Sequence, residues 1–477
     1  MTASLERLLT HQRVLLIQGK MGSFFSRFAS FLHTQGIEVS KINLNAGDAF
    51  FYRHRERVYN YAGTLADFDG YLTDLLHSQA IGAVVCFGDC RPHHAVAGAV
   101  CRRLGTAFFV FEEGYLRPDY ITLQQDGING YSQLDLRVIK QLQKANDKPL
   151  PTHNRFYKLC LSAIVYYIVA RAKQDEFPHY THYRGMTAWQ EGITWLKAPV
   201  RKAYHYLPDK RLQRRLHESL VQRYFLVSLQ VYNDSQITFH SDYADITVFI
   251  DEVMTSFAQH APCDLHLVFK HHPLDRAHRH YGALIAMLAK KLGITGRVHY
   301  GCDMHLPTLI RDSLGMVTIN STTGLQSIYH NRPTKVMGRA IYNVPQLTDQ
   351  QPLDGFWQHP MPPDQDFYQR FREYLIEQTQ LNGSFYGDSP WMGRYLANQL
   401  ANQAGANQPA TMQAASHQAA VQPSPAKPSR MQPNLSPALQ TPSTLTTTPA
   451  TTTPLTNAQA ANAPPSAAQP HDATKPV

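Results

Sequence analysis

Short runs of unbroken apolar residues alternate with amphipathic stretches through the first part of the chain. Residues 13–18 form one such run, ending at Gly19, and an amphipathic stretch over 23–32 follows it. Residues 38–45, 83–88 and 107–111 read as three further strands, with a helical stretch running up to Gly105. Continuous apolar strands separated by helices predict a parallel sheet covered on both faces. From about residue 119 to 224 the pattern is less regular. Its apolar patch, 159–170, is flanked by Arg155, Lys158, Arg171 and Lys173. A basic stretch follows, with Arg201, Lys202, Lys210, Arg211, Arg214, Arg215 and Arg223. Such charge is either a solvated helical surface or an interfacial patch suited to an anionic membrane.

A second alternating series opens at residues 225–231. It predicts helices over 245–259, 280–292 and 306–314 and strands over 265–270, 298–301 and 316–320. A short helix from Thr323 then leads to a strand at 335–337. Two such series predict an α/β fold of two Rossmann-like domains, 1–135 and 225–350, facing across a cleft. Residues 136–224 form a helical basic insertion between them, and 351–401 read as C-terminal helices crossing back to the first domain. Beyond about residue 402 the composition turns to Ala, Gln, Pro, Thr and Ser, which cannot build a core. Residues 402–477 are therefore predicted to be a disordered tail.

Composition narrows the setting. A net charge of +9 and a pI near 9.1 point to anionic partners: nucleotides, acidic sugars, lipid headgroups or nucleic acid. No recognised module accompanies the basic stretch, which sets nucleic acid aside. The six cysteines form no CxxC pair, and several sit in apolar runs, so they read as buried thiols in a reducing compartment. Residues 1–12 lack the basic-then-apolar pattern of a secretory signal, and 159–170 is too short to span a bilayer. Both predict a cytoplasmic protein that at most touches a membrane surface.

Four clusters of candidate chemistry stand at predicted strand ends, where α/β enzymes place their sites. Gln18-Gly-Lys-Met-Gly22 is a glycine loop in which Gly19 and Gly22 either admit a ligand to the backbone or make a tight turn. In Phe87-Gly-Asp-Cys-Arg-Pro92, Asp89 and Arg91 either position a substrate or pair structurally. Phe111-Glu-Glu-Gly-Tyr-Leu-Arg-Pro-Asp119 sets Glu112 and Glu113 after a buried strand, where burial tunes a carboxylate for general-base work; Arg117 follows as a substrate contact. In the second half, His272 with Lys270 suits a departing phosphate, and Asn320, Ser321, Thr322 and Thr323 offer amides and hydroxyls as its cradle. Asp234, with Gln230 nearby, follows the first strand of that half. Its carboxylate either attacks an anomeric carbon or caps an Asx-type turn. Asp67-Phe-Asp69 and the histidine pairs lack companion ligands for a metal, and no P-loop, HExxH or GxSxG is present.

The segments 18–25, 41–52, 87–92, 111–123, 225–241, 269–276 and 317–338, in that order, resemble the capsule polysaccharide biosynthesis and export family, in its KpsS-like branch. The resemblance implies a GT-B-like fold and a metal-independent β-Kdo transferase that retains anomeric configuration. It implies CMP-Kdo as donor, no cofactor, and a lysophosphatidylglycerol or phosphatidylglycerol acceptor at the inner face of the cytoplasmic membrane. It also implies association with a second Kdo transferase and the capsule export complex. The domain at 1–135 then serves the acceptor and that at 225–350 the nucleotide sugar. By the same resemblance Asp234 is the covalent nucleophile, although the preceding position, acidic in some relatives, is Asn233 here. Glu113, or else Glu112, is the acceptor base, and His272 contacts the CMP phosphate. Two rival readings remain: another GT-B enzyme with a different nucleotide sugar, or a non-catalytic scaffold of the export complex.

Overall fold

The alternation of side chains along β1 (Arg13–Leu16) explains the unbroken apolar run from which it was predicted. Val14 and Leu16 enter a cluster with Phe24, Phe28 and Phe111, whereas Leu15 enters another with Leu72 and Val100. Both faces of the strand are dry, which favours apolar residues at successive positions. The same holds for β7 (Tyr224–Ser228), where Phe225 and Val227 face one cluster and Tyr224 and Leu226 the other. The computed structural model describes residues 2–141, 148–180, 188–276 and 278–396; the predicted tail over 402–477 lies outside the described residues.

The first sheet also contains β2 (Glu38–Asn43), β3 (Val58–Asn60), β4 (Ala83–Phe87), β5 (Ala107–Glu113) and β6 (Tyr120–Gln125). The second adds β8 (His266–Lys270), β9 (Val298–Gly301), β10 (Gly315–Thr318) and β11 (Thr334–Val336). A last strand, β12 (Gln380–Asn382), follows the helix Gln365–Gln378 and returns to the first sheet. The sheet orders are β12-β6-β5-β4-β1-β2-β3 and β11-β10-β7-β8-β9. The second sheet is parallel throughout, while β6 and β12 make antiparallel additions to the first. This is the predicted α/β architecture of two Rossmann-like halves, the GT-B-like arrangement.

Each sheet grows outward from its first strand in one direction and then in the other, β3-β2-β1-β4-β5 and β9-β8-β7-β10-β11. The crevice where that direction switches, outside the carboxyl ends of the strands, is where such sheets bind ligands. It lies between β1 and β4 in one half and between β7 and β10 in the other. The loops around 18–22, 88–92, 229–234 and 319–323 are thereby brought to the two mouths.

Strand β3 was assigned no element by the sequence expectation, and β6 and β12 depart from it, since it left 119–224 irregular and made 351–401 helical. In β6 the buried Thr122 and Gln124 broke the apolar signal; Thr122 donates to the Glu113 carbonyl (3.2 Å) and Gln124 to Ser132 (2.5 Å). The basic insertion contains the helices Phe156–Ala172 and Ala188–Ser219. Among the described residues no helix is long and apolar enough to cross a membrane.

Candidate active site

Glu112 and Glu113 are the last two residues of β5 rather than loop residues, so the sheet ladder fixes their backbone. Immediately after them the chain doubles back at Gly114, where a Cβ would lie 2.1 Å from the Tyr120 carbonyl oxygen. Only glycine fits that approach. Gln380, arriving on β12, accepts from the backbone N–H groups of Tyr115 (3.0 Å) and Leu116 (3.3 Å) and donates to Thr122 (3.0 Å). The C-terminal crossing thus clamps the turn beyond the two glutamates.

Lys20, from the glycine loop, reaches across to Glu113 with a 2.5 Å contact and lies 4.6 Å from the centre of the Phe87 ring. Burial alone would raise the Glu113 carboxyl, but the charges of Lys20 and Arg117 outweigh it and hold Glu113 below the ordinary carboxylate range. Glu112 behaves oppositely. Burial, aided by the charge of Glu113, raises it to about 7 against the opposing pull of Lys20, the Glu113 N–H and Arg91. Two adjacent glutamates therefore have separated titrations: one is a fixed anion, the other is poised to exchange a proton at neutral pH.

The glycine loop itself is occupied by the protein. Gly19 donates its N–H to Asp48, and its carbonyl accepts from Arg91 (3.3 Å). Asp48 is buried against Lys41 as an ion pair beneath the loop. Gly22 takes φ 117°, a conformation that favours glycine. The loop works mainly as a mount for Lys20. Asp89 is likewise turned inward, accepting from the Ile128 N–H (3.0 Å) and from the Cys90 thiol (3.2 Å).

In the second half, Asp234 caps the helix Ser235–His240 by accepting from the Gln236 N–H (3.0 Å), and Gln230 donates to its other oxygen (3.2 Å). Gln230 is also paired with Asn320, which in turn donates to the carbonyls of Gln236 (2.7 Å) and His240 (3.0 Å). The cap reading of Asp234 is therefore realised. The Gln236 N–H and the Gln230 amide thereby fix the orientation of the carboxylate.

His272 Nδ1 accepts from the Leu274 N–H (3.2 Å), so the ring proton resides on Nε2. Burial, with the charges of Lys270 and Arg117, lowers its pKa to about 4. The imidazole is neutral at physiological pH, so what it can offer an anion is a hydrogen bond from Nε2 rather than a charge. Lys270 spends its ammonium on the carbonyls of His271 (2.7 Å) and Cys302 (2.6 Å), and burial lowers it to about 8. Ser321 caps the Thr323 N–H (3.2 Å) and Thr323 donates to Ser228 (3.1 Å), so these two hydroxyls first of all stabilise their own turn. Thr322 begins the helix Thr323–Tyr329 without a side-chain cap bond.

The two mouths meet. Arg117, anchored to the Gly114 carbonyl (3.2 Å), acts electrostatically on both Glu113 in the first half and His272 in the second. Asp234 acts in the same way on Cys90, whose sulfur lies 3.6 Å from His240. Among the described residues, Asp89–Cys90–His240 and His205–His280–Cys302 are the groups whose side chains could share a metal ion. A cavity of about 920 Å³ beside Arg102 and Phe108 includes Asp89 but none of Glu112, Glu113, Asp234 or His272. Lys20 and Gln380 were not selected from sequence. Lys20 stood in the glycine loop, whereas nothing local marks Gln380, whose partners at the turn, Tyr115 and Thr122, lie more than 250 positions away.

Residues 82–386 match the family described as "Capsule polysaccharide biosynthesis protein". The chain is 41% identical over 383 residues to the "Capsule polysaccharide export protein KpsS" of Escherichia coli, covering 80% of this chain and 98% of that protein. It is 39% identical over 386 residues to the "Capsule polysaccharide modification protein LipB" of Neisseria meningitidis serogroup B, covering 79% and 92% respectively. Among solved structures, the KpsC β-Kdo 2,7 transferase of Thermosulfurimonas dismutans aligns over 75% of this chain and 88% of its own at 13% identity, with a TM-score of 0.36. A glycosyltransferase from Rickettsia africae aligns over 83% and 99% at 10% identity, with a TM-score of 0.32.

Proposed function

The chain belongs to the capsule polysaccharide biosynthesis family, and from that premise we propose that it is a retaining β-Kdo transferase. It moves Kdo from CMP-Kdo to a lysophosphatidylglycerol or phosphatidylglycerol acceptor and so begins the Kdo linker of a capsular polysaccharide. The observation that carries this reading is the meeting of the two strand-end mouths, where Cys90 of the first half lies 3.6 Å from His240 of the second and the charge of Arg117 reaches both Glu113 and His272.

Transfer proceeds by two displacements. Asp234, aimed by Gln230 and the Gln236 N–H, attacks the anomeric carbon while the C–O bond to CMP breaks. The leaving phosphate receives a hydrogen bond from His272 Nε2, with Thr322 and its neighbouring hydroxyls lining the turn beside it. The acceptor hydroxyl then loses its proton to a glutamate and displaces Asp234. Geometry favours Glu112 over Glu113 for that base, because Glu112 titrates near 7 while Glu113 is committed to Lys20. The reaction requires no metal in this scheme, since a single phosphate departs and His272 and the turn receive it. The enzyme works at the inner face of the cytoplasmic membrane, alongside a second Kdo transferase and the export complex.

The test is to incubate purified protein with CMP-Kdo and a fluorescent lysophosphatidylglycerol analogue, with CMP-sialic acid and UDP-sugars as competing donors. A product heavier by one or more Kdo residues, formed only from CMP-Kdo, is expected. Transfer from another donor, or no transfer at all, refutes the assignment.

A further inference from the structure

Helix Phe156–Ala172 has two unlike faces. Tyr157, Leu161, Ile164 and Ile168 recur at four- and three-residue intervals, which places them along one stripe. They are 57%, 59%, 57% and 62% exposed, far beyond what an apolar core helix tolerates. Half a turn away, at the opposite pole of the helix, Tyr166 is 3% exposed. Its hydroxyl accepts from Gln18 (2.7 Å) and Asn45 (2.6 Å), the residues that flank and support the glycine loop. The packing on this side is close: a Cβ on Gly47 would lie 2.7 Å from the Tyr166 carbonyl, and one on Gly22 would lie 3.4 Å from Ser162 Oγ. The helix is thus fastened by its inner face to the Lys20 mount, while its outer face has a continuous apolar stripe in solvent.

Charge indicates what covers that stripe. Arg155 and Lys158 stand at one end and Arg171 and Lys173 at the other, and residues 155–173 contain no Asp or Glu. Arg155 contacts the Tyr157 hydroxyl (3.3 Å), which sets it beside the stripe, while Lys173 pairs with Glu176 (2.8 Å) beyond the far end of the helix. The neighbouring helix Ala188–Ser219 repeats the chemistry: exposed Val200, Tyr204 and Leu207 continue on the same helical spacing into the exposed Arg211 and Arg214. An apolar stripe with cations at both ends and no anion between them suits a helix lying in a plane of anionic headgroups, its apolar face dipped toward the acyl chains.

We propose that the outer face of helix Phe156–Ala172, centred on Leu161, Ile164 and Ile168, docks the protein on an anionic bilayer. Because the opposite face is fixed through Tyr166 to the Lys20 loop, docking also sets the Lys20–Glu113 mouth at a fixed height above the headgroups. The proposal rests on the lipid-acceptor reading only for the purpose it gives this contact.

The experiment is co-sedimentation of the full chain with phosphatidylglycerol-containing and pure phosphatidylcholine vesicles, comparing wild type with the triple variant Leu161→Gln, Ile164→Gln, Ile168→Gln. These positions are exposed, so an unchanged melting temperature is expected. Partitioning onto the anionic vesicles should fall at least about tenfold, and wild-type binding should weaken as salt is raised. Activity on a short-chain, water-soluble acceptor should be unaffected. Equal sedimentation of variant and wild type overturns the proposal. So does a wild-type dimer that ignores vesicles and becomes monomeric in the variant, because the face then joins two copies. If wild type transfers no Kdo but the variant alone loses the vesicles, the transfer reading fails and the docking face stands.

Discussion

The two mouths of the site grow from the same strand order yet differ in their electrostatics. In the first half, Lys20 and Arg117 act as charges on Glu113, and Glu112 titrates near 7, raised by burial and by Glu113 against Lys20 and Arg91. In the second, burial pushes His272 and Lys270 toward their neutral forms, and Gln230, Asn320 and the hydroxyls around Ser321 supply dipoles. Asp234 is the anion placed among those dipoles. Under the proposed transfer, the difference separates two tasks. A half that must take a proton from a hydroxyl needs a carboxyl tuned by neighbouring charges, whereas a half that receives an anionic leaving group is served by fixed donors.

The sharpest way to break this comparison is to remove the anion of the second half. Asp234→Asn keeps an acceptor for the Gln236 N–H and so should melt close to wild type, yet lose transfer by about ten-thousandfold or more, as removal of a nucleophile does. Asp234→Ala should lose the cap as well, at about 1 kcal/mol of stability. Intact-protein mass spectrometry with a slowly consumed acceptor should show a Kdo adduct on wild type and none on either variant. An adduct that persists in Asp234→Asn assigns the nucleophile elsewhere.

Glu112→Gln is the next largest perturbation and addresses the first half. A base is active only when ionised, so a Glu112 pKa of about 7 predicts that wild-type kcat rises as pH passes upward through 7. The variant should lose about a thousandfold in kcat and, with it, that dependence on pH. Glu113→Gln should instead leave the rise near pH 7 visible, with its midpoint lowered because the charge of Glu113 no longer opposes ionisation of Glu112. If Glu113→Gln rather than Glu112→Gln abolishes the rise, the assignment of the base is reversed.

Legibility in the sequence followed the same division. Strands with two dry faces, such as β1, β4 and β7, could be read because burial on both sides favours an unbroken apolar run. β6 and β12 could not, because their buried Thr122, Gln124 and Gln380 are made tolerable by partners that spacing does not reveal. Candidate residues at strand ends were legible through topology, but their states were not. Glu112 and Glu113 are neighbours of identical type, and Lys20, 93 positions before Glu113, distinguishes them together with Arg117. The sequence likewise offered Lys270 as a phosphate ligand, whereas burial turns its ammonium onto two carbonyls.

His272 provides the smallest and most discriminating effect. With a folded-state pKa of about 4 against an ordinary 6.5, the ring stays neutral from pH 5 upward, and its donor role should therefore add no pH dependence across 5 to 8. His272→Ala should lower kcat by about a hundredfold, the loss of one preorganised donor. His272→Gln retains a neutral N–H donor and should recover part of that loss, whereas a side chain without a donor, as in His272→Leu, should not. Were the imidazole instead acting as a cation, Gln would rescue nothing and the wild-type rate would fall as pH rises through about 6.5. The kinetic comparison of Ala, Gln and Leu at pH 6 and pH 8 therefore decides whether the second half handles its phosphate with dipoles or with charge.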